Sequence, residues 1–179
     1  MAERTVSISS GGKTFSFTGW KVGWVSGPAP LVAAVRAAKQ FLTYTSGAPF
    51  QLAIAHGLSG GPEEINRLSN ELKAKRDLFC EGLDALGFTV HRPAATYFAT
   101  TDIADVAPGM HAYDFCRALP GRCGVVAIPS SVFYGAGTAV NDDPLAEDDE
   151  TAGRTLVRWA FCKRVDVLED ALARLTAWG

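Results

Sequence analysis

From Pro62 onward the apolar side chains recur at helical spacing: Ile65, Leu68, Leu72, Phe79, Leu83 and Leu86 share one face, charges fill the others, and Gly87 supplies the stop. This predicts one long amphipathic helix. The stretch before it reads differently. Thr5-Val-Ser-Ile-Ser alternates and is β-branched, a short strand running into Ser9-Ser10-Gly11-Gly12, and Trp20–Val25 is a second strand closed by Gly27-Pro28. Residues 30–43 are alanine-rich behind a proline suited to a first helical turn, and a small-residue break at 45–49 precedes a further apolar segment, Phe50 to Leu58. Beyond Gly87 the pattern predicts paired strands at 88–91 and 96–100 around Pro93, a short helix over 111–119 and a strand at 124–128. Residues 137–153 carry six acidic side chains and no basic one, which predicts a solvated loop. A strand over 155–162 follows, then a last helix lined by Leu168, Ala171, Leu172 and Leu175.

The order is therefore strand–strand–helix–helix, then a long helix leading into an α+β unit, with no internal repeat. Gly60-Gly61-Pro62 is the natural place to divide the chain. Residues 62–179 make a unit of ordinary domain size, and residues 1–61 are too few to close a sheet of their own.

Composition narrows the classes. Of 179 residues, 47% are apolar and 20% charged, which excludes disorder as the overall state. Seventeen Lys and Arg against nineteen Asp and Glu leave a net charge of −2, which argues against a nucleic-acid binder. No apolar run approaches the roughly 18 residues of a membrane span. The first residues lack the apolar core and cleavage site of a secretory signal, so the cytoplasm is the expected location. Cys80, Cys116, Cys123 and Cys162 form no Cys-x-x-Cys pair and read as reduced, partly buried thiols. Cys116, Cys123 and His111 match no zinc spacing, so no metal is expected.

Candidate chemistry begins at Ser-Gly-Gly-Lys-Thr, residues 10–14. A phosphate-binding P-loop needs Gly-x-x-x-x-Gly-Lys-Ser/Thr opening a helix. Here the first glycine is replaced by Ser7, and the aromatic, glycine-punctuated stretch from Phe15 is a poor helix. The wider string Ser9-Ser-Gly-Gly-Lys-Thr-Phe-Ser-Phe-Thr-Gly-Trp-Lys-Val-Gly-Trp-Val-Ser-Gly-Pro28 resembles the cofactor-lysine segment of class I aminotransferases, fold-type I pyridoxal-phosphate enzymes of the aspartate aminotransferase superfamily. It looks like the branch holding kynurenine, methionine and succinyldiaminopimelate aminotransferases. The likeness continues through Ala48–Gln51, Thr96-Tyr97-Phe98, Ala127–Pro129 with Phe133-Tyr134, and Val157–Lys163, in order along nearly the whole chain.

The resemblance implies an α/β fold comprising a remnant of the large mixed-sheet domain (1–61) and a complete small α+β domain (62–179). Pyridoxal 5'-phosphate is the implied cofactor, with amino-acid and 2-oxo-acid substrates, 2-oxoglutarate as acceptor, and a homodimer as the full-length form. Lys13 is then the lysine that forms the Schiff base and moves the substrate proton. Ser10 matches the hydroxyl on the cofactor phosphate, and Lys21 the base that neutralises it. Arg158 matches the arginine that clamps the substrate carboxylate. Tyr44 matches an aromatic that reaches the neighbouring subunit's site. Taken singly, these residues are surface charges, a turn serine and a core or interface aromatic; they gain weight from falling together at the family's spacings. His56, His91 and His111 match no family role. The family's chain is about twice this long. The segment ahead of its lysine supplies a glycine-rich phosphate turn, a ring-stacking aromatic and a ring-nitrogen aspartate, none of which has a candidate here. Met1 is accordingly an internal codon of a longer frame or the start of a truncated gene. We expect the 179-residue chain alone to show little turnover, with residues 62–179 able to fold and the first 61 mobile, aggregation-prone or docked. A non-catalytic remnant and one half of a split enzyme are the rival readings.

Overall fold

The computed structural model describes residues 1–134 and 153–178. Its elements are β1 (Ser7–Ser10), α1 (Gly11–Thr14), β2 (Gly23–Ser26), α2 (Ala29–Leu42), α3 (Ala48–Ser59), α4 (Glu63–Ala85), β3 (Thr89–His91), β4 (Phe98–Asp102), α5 (Ala112–Cys123), β5 (Ile128–Pro129), β6 (Leu156–Ala160) and α6 (Val165–Leu175). The chain divides into two compact units, Met1–Ser69 and Asn70–Gly179, with the division inside α4. Residues 137–152 of the expected acidic loop lie outside the described residues.

In the first unit β1 and β2 pair antiparallel, from Ser7 opposite Ser26 to Ser10 opposite Gly23. The strand expected to run on into the glycines instead gives way to α1, a single helical turn. Two contacts fix the chain at this point: the Gly11 N–H donates to the Val22 carbonyl at 3.1 Å, one last bond beyond the paired strands, and Gly11 lies hard against α3. A Cβ at Gly11 would sit 2.6 Å from Ile54 Cδ1, so this approach requires glycine. β2 begins later than the sequence suggested, because Thr18–Trp20 forms a 3-10 turn and Lys21 takes a left-handed conformation with φ of 54°. Prolines in the first turns of α2 and α3 start both helices as their fixed φ favours. Val22 and Ile54 are the unit's buried apolar side chains, while Ile8, Phe41, Leu42 and Leu52 are exposed.

The second unit is an antiparallel four-stranded sheet, ordered β3-β4-β6-β5, with α4, α5 and α6 contributing the rest of its core. Period-two alternation assigns the two faces. Ala99, Thr101, Val157 and Trp159 are buried with Phe79, Cys80 and Leu83 of α4, Phe115 and Leu119 of α5, and Leu168 and Leu175 of α6. The intervening Phe98, Thr100, Leu156 and Arg158 are half-buried. Trp159 meets Phe79 and Phe88 edge-on, with ring centres 6.3 and 5.8 Å away. At Gly82, α4 comes so close to α6 that a Cβ would stand 2.4 Å from Leu172 Cδ1. The helix expected over 111–119 runs on to Cys123, and Gly124 caps it at φ of 65°. The expected strand at 124–128 shrinks to Ile128–Pro129, which pairs with β6: Gly124 takes the left-handed cap, and residues 125–127 lie outside any strand. His111 has a structural role as the N-cap of α5, its Nδ1 accepting the Tyr113 N–H at 3.1 Å.

Two polar features tie this unit together. The buried Trp159 Nε1 donates to Thr101 Oγ1 at 2.9 Å. Asp77 accepts from Lys73, Arg76 and Arg92, and Arg76 also donates to the Pro93 carbonyl, so one carboxylate links α4 to the segment after β3. The bonds from Lys73 and Arg76 hold the Asp77 carboxyl down at about 2, from a usual 3.8.

Thr101→Val keeps the shape but strands the indole N–H, so urea unfolding should show a loss of about 1–3 kcal/mol. For Asp77 the lowered pKa means a stabilising contribution that is complete above the unfolded-state pKa and lost as pH falls through about 2. Urea unfolding of wild type and Asp77→Asn at a series of pH values should therefore show a gap at pH 7 that closes in acid.

Candidate active site

Ser10, Lys13 and Lys21 follow one another along the β1–α1–β2 connection. Ser10 ends β1 opposite Gly23, in extended conformation (φ −148°, ψ 149°), and makes no capping bond to α1 with its side chain. Its hydroxyl is thus not committed to the helix it precedes. Lys13 lies in α1, the single turn between, and is exposed. Lys21 sits two residues before Gly23, so the strand pairing that places Ser10 also returns Lys21 to its neighbourhood. A left-handed backbone at a non-glycine residue costs on the order of 1–3 kcal/mol and persists where surroundings enforce it. Here Ser46 Oγ donates to the Lys21 carbonyl at 3.2 Å, and Phe17, Trp20 and Phe50 stack in series with ring centres 4.3 and 4.8 Å apart.

Lys21 lines a cavity of about 710 Å³ together with Arg36 and Lys39, and no acidic residue lines it. Three cations in a concave, partly aromatic setting suit an anion. Tyr44 lines an adjoining cavity of about 410 Å³. Its backbone is left-handed (φ 57°), its carbonyl accepts from Lys39 Nζ at 3.4 Å, and its side chain is 80% exposed.

Arg158 lies in the second unit, on β6, opposite Thr100 of β4 and Ile128 of β5. Alternation turns it away from Val157 and Trp159. Its guanidinium carbon stands 4.3 Å from the centre of the Phe98 ring and 4.2 Å from that of Phe133. Its Nε is buried and has no hydrogen-bond partner among the described residues. An unmatched buried donor of this kind is rare and asks for an explanation. A planar carboxylate is the group its fork fits best. Phe98 and Phe133 gained no role from the sequence, although both fall within stretches quoted above. Alternation along each strand gives only its parity; the register of β4 on β6, with Thr100 opposite Arg158, is what puts residues 98 and 158 on one face of the sheet.

A cofactor bearing an aldehyde and a phosphate fits the first unit's donor types: the Ser10 hydroxyl and the Lys13 amine on the β1–α1 connection, and Lys21, which lines an acid-free cavity that neither Ser10 nor Lys13 lines. Among the described residues there is no group of three or more His, Cys, Asp or Glu side chains placed to hold a metal ion. Cys80, Cys116 and Cys123 are buried thiols and Cys162 is exposed. Burial pushes the Cys116 thiol up to about 12, against thiolate chemistry there. No described helix is long and apolar enough to cross a membrane.

The family described as aminotransferase class I and II matches residues 1–139. The solved structure of N-succinyldiaminopimelate aminotransferase from Mycobacterium tuberculosis is 43% identical and superposes with a TM-score of 0.85, over all of this chain and 43% of that one. Methionine aminotransferase of Escherichia coli is 35% identical over 98% of this chain and 42% of its own length. Kynurenine–oxoglutarate transaminase of Dictyostelium discoideum is 31% identical over 96% of this chain and 41% of its own. The chain thus spans about two fifths of the length of these relatives. Its mixed α/β fold is that of the aminotransferase structures, and the chain belongs to the class I and II aminotransferases.

Proposed function

We propose that this chain carries the cofactor lysine and the carboxylate receptor of a pyridoxal-phosphate-dependent aminotransferase, which moves an amino group between an amino acid and a 2-oxo acid. The observation that carries the reading is the β1–β2 pairing, which returns Lys21 toward Ser10 with Lys13 on the single turn between them. We assign 2-oxoglutarate as acceptor. The donor is succinyldiaminopimelate-like, which would serve lysine biosynthesis, or an aromatic or sulfur amino acid. Residues 1–61 belong to the large cofactor-binding domain and 62–179 form the small domain. The working form is a cytoplasmic homodimer, with Tyr44 reaching toward the neighbouring subunit.

In this reading Lys13 holds the cofactor through its aldehyde, and Ser10 and Lys21 hold the phosphate. Once bound, pyridoxal phosphate supplies an electron sink for the pair left when the substrate α-proton departs. After the substrate's amino group has displaced it from the cofactor aldehyde, the freed Lys13 amine would take that proton and return it, a general base and then a general acid. The Lys21 ammonium offsets phosphate charge as a point cation. Arg158 receives the substrate α-carboxylate through its fork and so orients the α-carbon.

The test is an absorbance titration of the purified chain with pyridoxal phosphate. A saturable band that Lys13→Ala abolishes is expected, and Ser10→Ala and Lys21→Ala should each weaken cofactor affinity about tenfold. Equal, weak labelling of wild type and Lys13→Ala would contradict the assignment and favour a non-catalytic remnant.

A further inference from the structure

We propose that Phe98 and Phe133 are positioning residues that fix the Arg158 guanidinium so that it accepts ligands along its N–H edge, making this subsite selective for planar carboxylates over tetrahedral oxyanions. The inference rests on the reading of Arg158 as a carboxylate receptor.

The geometry comes from the sheet. β6 lies between β4 and β5, so Phe98 on β4 and Phe133, four residues beyond the end of β5, approach Arg158 from its two sides. Both ring centres lie close to the guanidinium carbon, at 4.3 and 4.2 Å. Those distances are well inside cation–π range, and the ring faces take up approaches a ligand would otherwise use. Among the described residues no carboxylate forms an ion pair with Arg158, and the contacts given for its guanidinium are the two ring faces. Ring faces do not consume N–H donors. The buried, unpartnered Nε belongs to the same arrangement: that one N–H is held where it does not recover a bond from water. Core packing does not account for Phe133, which is 57% exposed and yet lies on the cation.

The consequence is a shape rule. A carboxylate places both oxygens in the plane of the fork. A phosphonate or sulfonate always carries a third oxygen out of that plane, toward a ring face that already occupies the space, and where that oxygen is anionic the ring quadrupole repels it as well. Pyruvate and methyl acetylphosphonate isolate this difference, since both are small 2-oxo monoanions and one is planar where the other is tetrahedral.

The experiment measures the dissociation constants of both probes for the purified chain, by following the Arg158 Nε–Hε resonance or by calorimetry. Wild type, Phe98→Leu, Phe133→Leu and Arg158→Lys are compared, each with its unfolding midpoint recorded. Wild type should prefer pyruvate, and Phe133→Leu should reduce the preference about three- to tenfold at an unchanged midpoint. Phe98→Leu should act in the same direction. Leucine at either position conserves apolar packing, so a purely structural role would leave the ratio of the two constants unmoved. A ratio unchanged in both leucine variants, with pyruvate binding still dependent on Arg158, overturns the positioning role alone. No pyruvate binding by wild type, or full binding by Arg158→Lys, overturns the carboxylate reading beneath it.

Discussion

The alternation of side chains along β6 is the constraint from which the second unit follows. Val157 and Trp159 bury themselves among α4, α5 and α6, and the period of two then turns Arg158 to the opposite face. A slip of one residue in register would drive a guanidinium into the core and expose the indole, which the Trp159–Thr101 hydrogen bond and the edge-on contacts with Phe79 and Phe88 oppose. The same register brings Phe98 within reach of Arg158. Stability and the proposed carboxylate recognition are thus two faces of one strand, and the core is what gives the arginine a fixed address.

The first unit works under the opposite condition. It buries few apolar side chains, and its local geometry is held by backbone closures: the Gly11 N–H on the Val22 carbonyl, the Ser46 hydroxyl on the Lys21 carbonyl, and the aromatic series through Trp20. Strain at Lys21 is the cost of turning the chain back so soon after Lys13. Strained turns of this kind concentrate where side chains must be aimed. Exposed Ile8, Phe41, Leu42 and Leu52 show that much of the unit's apolar surface is uncovered, in a chain that spans about two fifths of the relatives it matches.

The long helix was the most legible element, because five turns of apolar residues and a glycine at φ of 87° leave no competing reading. β6 and α6 were legible for similar reasons. β4 begins two residues later than the pattern suggested, since Thr96 adopts φ of 72° and cannot continue a strand. Val125-Val126-Ala127 looked like strand from composition, yet Gly124 takes the left-handed cap and Val126 is largely exposed. The α1 turn was hidden because its two glycines carry no periodicity; the contact that fixes Gly11, with Ile54, lies far along the chain. Ser10, Lys13 and Lys21 were singled out by the resemblance of their segment to a known family rather than by any pattern of their own, and the structure sets them one after another along the β1–α1–β2 connection. The ring pair on Arg158 was not legible, because it depends on strand order rather than sequence distance.

The central claim is that β6 presents Arg158 as a receptor for a planar carboxylate. The most direct measurement is a crystal structure of the chain with 2-oxoglutarate. The expected result is a carboxylate in the plane of the Arg158 guanidinium, both oxygens within hydrogen-bond distance of the fork, lying between Phe98 and Phe133. A 2-oxoglutarate bound elsewhere, with Arg158 untouched, would contradict it.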